Sequence, residues 1–98
     1  MIYNLTEKLK FGADPKLVIG ETELTVRSDA ETVLQLMDII QTKGEAAGAR
    51  EAMALLLSEK DLKKLAALHL KMDDYLMVMQ TAAQLAMGVD PGDAPAGE

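Results

Sequence analysis

Lys16-Leu17-Val18-Ile19-Gly20-Glu21-Thr22-Glu23-Leu24-Thr25-Val26-Arg27-Ser28-Asp29-Ala30-Glu31 decides the fold, because the period of its apolar residues changes along its length. Lys16 to Gly20 is rich in aliphatic and β-branched residues, and Glu21-Thr22 interrupts the run beside a glycine. Leu24 and Val26 then alternate with Glu23, Thr25 and Arg27. Period-two alternation around a Gly-containing break is the signal of a β-hairpin with one wet face, predicted over about 16–27. Ser28-Asp29-Ala30-Glu31 reads as a capping box, with Ser28 accepting from the amide three residues on and Glu31 reaching back to the amide of Ser28. A helix is predicted over about 29–43, where Val33, Leu36, Met37 and Ile40 recur at i, i+3, i+4 and i+7 and Gly44 marks the stop.

Upstream, Asp14-Pro15 turns the chain into the first strand. Residues 2–11 fit two readings, a short helix through Leu5 and Leu9 or a third strand through Leu9 and Phe11. Downstream, an alanine-rich helix is predicted over about 46–57, with Met53, Leu56 and Leu57 on one side and Gly48 weakening its first turn. Ser58-Glu59-Lys60-Asp61 starts a further helix over about 59–70, which places Leu62, Leu65, Ala66 and His69 on one face. Two separate helices and one bent rod both satisfy the pattern across Leu57 and Ser58.

The last helix, about 73–87, stops at Gly88 with Pro91 close behind. From Tyr75 to Val89 fifteen residues pass without a charge. A helix apolar nearly all round has to be covered nearly all round, yet this one is too short and too polar to cross a bilayer. Either it runs through the centre of the domain, or one face waits for another chain. The expected fold is therefore α+β and mainly helical: a hairpin, or three short strands, followed by three to four α-helices. It forms a single domain over 1–88, with 89–98 a disordered acidic tail carrying Asp90, Asp93 and Glu98 and no basic residue.

Composition narrows the function. The chain has 98 residues, a net charge of −6, three aromatic residues (Tyr3, Phe11, Tyr75), seven methionines and no cysteine. An acidic chain with few aromatics lacks the basic stripe that binds duplexes and the stacking platforms that bind single strands, so nucleic acid is not an expected partner. The absence of cysteine removes disulfides, thiolate nucleophiles and thiolate metal sites. Neither a secretory leader nor a membrane span is legible, so a soluble protein of the cytoplasm is expected.

Catalytic machinery is equally hard to find. His69 is the only histidine, and its place on the Leu62/Leu65 stripe suits the edge of a core. Asp73 and Asp74 are neighbours that point about 100° apart on a helix and complement its positive end. The seven glycines build neither a dinucleotide fingerprint nor a phosphate loop. Lys60, Lys63, Lys64 and Lys71 are interleaved with Glu59, Asp61, Asp73 and Asp74, the pattern of a solvated face. No catalytic, cofactor-binding or metal-ligating residue is assigned and no cofactor is expected; the chain is read as a non-enzyme.

The methionines are the exception. Met72, Met77, Met79 and Met87 crowd the last helix, where they fit gap-filling in a core short of aromatics and also fit a plastic surface that repacks around partner helices. On the second reading Tyr75, Leu76, Met79, Leu85 and Met87 form the protein interface. Met79→Glu is then expected to leave a folded protein that associates less well.

The order of elements carries a resemblance. Phe11-Gly12 leads into the hairpin, Ser28-Asp29-Ala30-Glu31-Thr32-Val33-Leu34 opens a helix, and Leu70-Lys71-Met72-Asp73-Asp74-Tyr75-Leu76 leads into an apolar helix ending Met87-Gly88-Val89-Asp90-Pro91. From about Phe11 to Pro91 this resembles the small tail assembly chaperones of long-tailed phages and prophages of Gram-positive bacteria. The resemblance implies a non-catalytic protein of the host cytoplasm that binds the tape measure protein, keeps it soluble, helps recruit tail tube subunits and self-associates. A small tail or connector subunit forming a ring, and a helical adaptor unrelated to phage, are the alternative readings.

Overall fold

The computed structural model describes residues 1–6, 9 and 12–89. The predicted tail, apart from Val89, and the Phe11 strand lie outside them; residues 1–6 and 9 hold no strand. Strands β1 (Lys16–Ile19) and β2 (Thr22–Thr25) pair antiparallel, Leu17 opposite Leu24 and Ile19 opposite Thr22. The connection is Gly20-Glu21, one residue earlier than the predicted break. Gly20 takes φ +62°, the left-handed backbone that a two-residue hairpin loop demands and glycine supplies without strain. Leu24 and Val26 enter the core, while Lys16, Val18, Glu23 and Thr25 face outward. Beyond β2 the chain stays tied down: the Val26 N–H donates to the Pro15 carbonyl and the Arg27 N–H to the Leu56 carbonyl, each at 2.9 Å. The second bond satisfies a carbonyl that the end of a helix would otherwise leave open.

Helix α1 (Ala30–Lys43) is capped by Asp29 rather than Ser28. Asp29 accepts from the Thr32 amide at 3.2 Å and from the Thr32 hydroxyl at 2.7 Å. Ser28 turns the other way and donates its hydroxyl to Asp14 at 2.8 Å, clasping the approach to β1 against the approach to α1. The predicted Ser28–Glu31 capping box is therefore replaced by a cap one residue on, because Asp29 reaches the first-turn amide while Ser28 finds a tertiary partner. Gly44, at φ +84°, ends α1 by donating to the Ile40 carbonyl at 2.7 Å, and α2 (Glu45–Leu56) begins at once.

Helix α2 is the axis of the core. It buries Gly48, Ala49, Ala52, Met53 and Leu56, packing on α1 along one side and on α4 along another. Gly48 is a packing residue: a Cβ there would stand 2.9 Å from Ile39 Cγ2, so only glycine lets α1 and α2 come this close. Lys43 and Glu51 pair across the same junction. At Leu57 the backbone extends, and Ser58 caps α3 (Glu59–Ala67) by accepting the Asp61 N–H at 3.2 Å, so the second and third helices are separate. Helix α3 stops short of the predicted residue 70. His69, expected on its buried face, lies beyond the helix, exposed and at φ +52°.

Helix α4 (Met72–Ala86) returns across α2 and buries Met79, Ala82, Ala83 and Ala86. Ala49 and Ala52 of α2 share the core with Ala82, Ala83 and Ala86 of α4, and side chains this small let two helices pack closely. Leu24, Val26, Leu36, Leu57 and Leu65 complete the core.

Candidate protein-binding groove

Where α2, α3 and the first turn of α4 diverge, they leave an open groove of about 670 Å³. Its cause is a competition for α3. Asp61, only 7% exposed, accepts the Thr25 N–H at 2.9 Å, and Lys64 donates to the Glu23 carbonyl at 3.4 Å. These bonds draw α3 toward the hairpin. Helix α4 meanwhile packs on α2, and the α2 residues facing the gap are too small to fill it. Ala46, Ala47, Ala49 and Ala54 form one wall, Leu62, Leu65 and Ala66 the opposite one, and Leu70, Met72 and Tyr75 close one end. Arg50, Glu59 and Lys63 supply the polar lining.

An apolar trough with a few charged groups is the form taken by grooves that hold an amphipathic helix. Tyr75 illustrates its interior. Burial raises the Tyr75 phenol above its ordinary range, and the nearby Arg50 guanidinium opposes the shift. The phenol therefore stays protonated and available to donate at neutral pH. Among the described residues no three carboxylate or imidazole groups converge on a point where a metal ion could sit.

The residues predicted as an interface do not form one patch. Met79 is 1% exposed and belongs to the core, which corrects its placement on a binding surface. The uncharged run misled the spacing argument, because the α4 face that carries Met79 is the face that α4 lays on α2. Tyr75 lines the groove. Leu76 is half-buried against the core beside it. Leu85 and Met87 lie at the other end of α4, about 15 Å along the helix, lining a second hollow with Pro15, Ser28, Ala86, Gly88 and Val89. Of the methionines on α4, Met77 is the most exposed at 64%.

The residues that sequence reasoning passed over are the alanines. Ala47 and Ala54 stand seven apart, two turns along one side of α2, and were legible only as helix formers. A stripe of small residues opposite a buried stripe is the available signal, and it becomes a groove only once α3 is held away. No protein family, curated protein or solved structure matches this chain.

Proposed function

We propose that this chain is a non-catalytic binding protein whose α2–α3–α4 groove holds an apolar helical segment of a partner. The observation that carries the reading is the groove itself, lined by alanines, of which Ala46, Ala47, Ala54 and Ala66 are exposed, by the half-buried Leu62 and Leu70, and by Arg50, Glu59 and Lys63. The client supplied by the sequence resemblance is the tape measure protein of a phage tail, a long helical chain made in the host cytoplasm. On this reading the chain is a tail assembly chaperone that keeps that client soluble until tail tube subunits assemble around it. Apolar side chains of a client helix would seat between the alanine wall of α2 and the leucines of α3, with charged flanking residues meeting Arg50, Lys63 or Glu59. Such binding needs neither nucleotide nor metal.

Co-expression with a phage tape measure protein tests the proposal. The client should become soluble and co-purify with the native chain, and Ala54→Arg or Ala66→Glu in the groove should abolish capture while leaving the circular dichroism spectrum unchanged. Met87→Glu, at the far end of α4, should leave capture intact. A client that stays insoluble and unbound overturns the reading. Persistence of the chain in purified particles would point instead to a tail or connector subunit.

A further inference from the structure

A second apolar feature lies outside the domain core. Met1, Ile2, Leu5 and Leu9 are all exposed, Ile2 almost completely at 97%. Among the described residues, nothing before Leu17 belongs to the core or packs against it. Several large apolar side chains in one short segment are far more than a surface ordinarily carries singly. The segment also has local order suited to docking. Asn4 Oδ1 accepts the Thr6 N–H at 2.9 Å and the Thr6 hydroxyl at 2.6 Å, a turn of the kind that starts helices. Ile2, Leu5 and Leu9 stand at i, i+3 and i+7, the spacing that aligns side chains for a groove.

We propose that the first nine residues of one copy dock in the α2–α3–α4 groove of a second copy, and that the exchange is reciprocal. The inference rests on the groove being a site for apolar helical segments, and names its occupant when no client is present. Two observations select a second copy. The segment stands clear of its own groove, since no residue before Ala46 lines that groove. Segment and groove also lie on the same chain as separate, complementary apolar surfaces, so a two-fold pair covers both at once and closes without leaving either surface free. The docked segment excludes a client, so the chain would be stored as a pair and opened by the client it serves.

Sedimentation velocity on the full chain tests this with two variants, Leu5→Asp in the segment and Ala66→Glu in the groove, each checked for unchanged helicity. Both positions are exposed, and neither belongs to the core. The expected result is a dimer that each variant weakens by more than about tenfold, with Leu5→Asp alone still capturing the client and doing so more tightly. A native chain that is monomeric overturns the proposal. So does a dimer that Leu5→Asp leaves intact, or one that Leu5→Asp dissolves while Ala66→Glu does not. Loss of client capture by Ala66→Glu in any of these cases would leave the groove's proposed function standing, so the two failures are distinguishable.

Discussion

The two flanks of α3 are built on opposite principles. Toward the hairpin, the Asp61 carboxylate accepts the Thr25 amide, and Lys64 lies 3.5 Å from that carboxylate and 3.4 Å from the Glu23 carbonyl. Toward α2, the same nine-residue helix presents Glu59, Leu62, Lys63 and Ala66 to an open groove. One flank is closed by polar groups that found partners across 36 residues of sequence. The other stays open because the side chains opposite are methyl groups apart from Arg50. A closed surface of this kind carries stability, and an open one is free to carry binding.

The difference can be broken most severely on the closed side. Met79→Glu should abolish the cooperative thermal transition followed by circular dichroism. Truncating a buried methionine alone costs about 2–5 kcal/mol, and an unpaired buried carboxylate adds to that, against a total stability of about 5–15 kcal/mol for a small domain. A protein that folds normally with this substitution would remove Met79 from the core. Asp61→Ala is next, with an expected loss of about 1–3 kcal/mol from the orphaned Thr25 amide, measured by urea denaturation. Asp61→Asn should recover most of it, since its amide oxygen still accepts.

The exposed carboxylate of Asp29 sharpens the contrast with Asp61 through pH. The Thr32 hydroxyl and then the Thr32 amide hold the Asp29 carboxyl below the usual carboxylate range. A depressed folded value means that its contribution is complete above the unfolded carboxylate range and is lost as pH falls through the folded value. The melting temperature of the native chain should therefore fall more steeply on acidification than that of Asp29→Asn, and equal slopes would deny the cap this role. The smallest effect belongs to the open flank. Ala66→Glu should change stability by no more than about 0.5 kcal/mol, and a large loss in the same urea titration would mean that the groove wall is structural.

Much of the fold was legible because it is written locally. The hairpin, the stop at Gly44, the Ser58 cap and the stop at Gly88 each depend on residues within a few positions of one another, and each lies where predicted to within a residue or so. Misplacements were of two kinds, one from a distant partner and one from an early helix end. Ser28 gave up the cap for Asp14, and α3 ended before His69 could join its buried face. The candidate site was less legible still. Tyr75 was found through its position in the apolar run, but Met79 was drawn into the core by α2, and the alanines of α2 carried no signal beyond helix propensity.

By itself the sequence determined a hairpin followed by amphipathic helices, an aliphatic core rich in methionine and alanine, and more apolar helix surface than a small domain readily hides. Those properties follow from periodicity, caps and composition, which act over a few residues or over the whole chain at once. Only the tertiary structure decided which apolar face became core and which became groove. That choice depends on where α3 is pinned, and α3 is pinned by the bond between Asp61 and Thr25, whose partners are adjacent in space and distant in sequence.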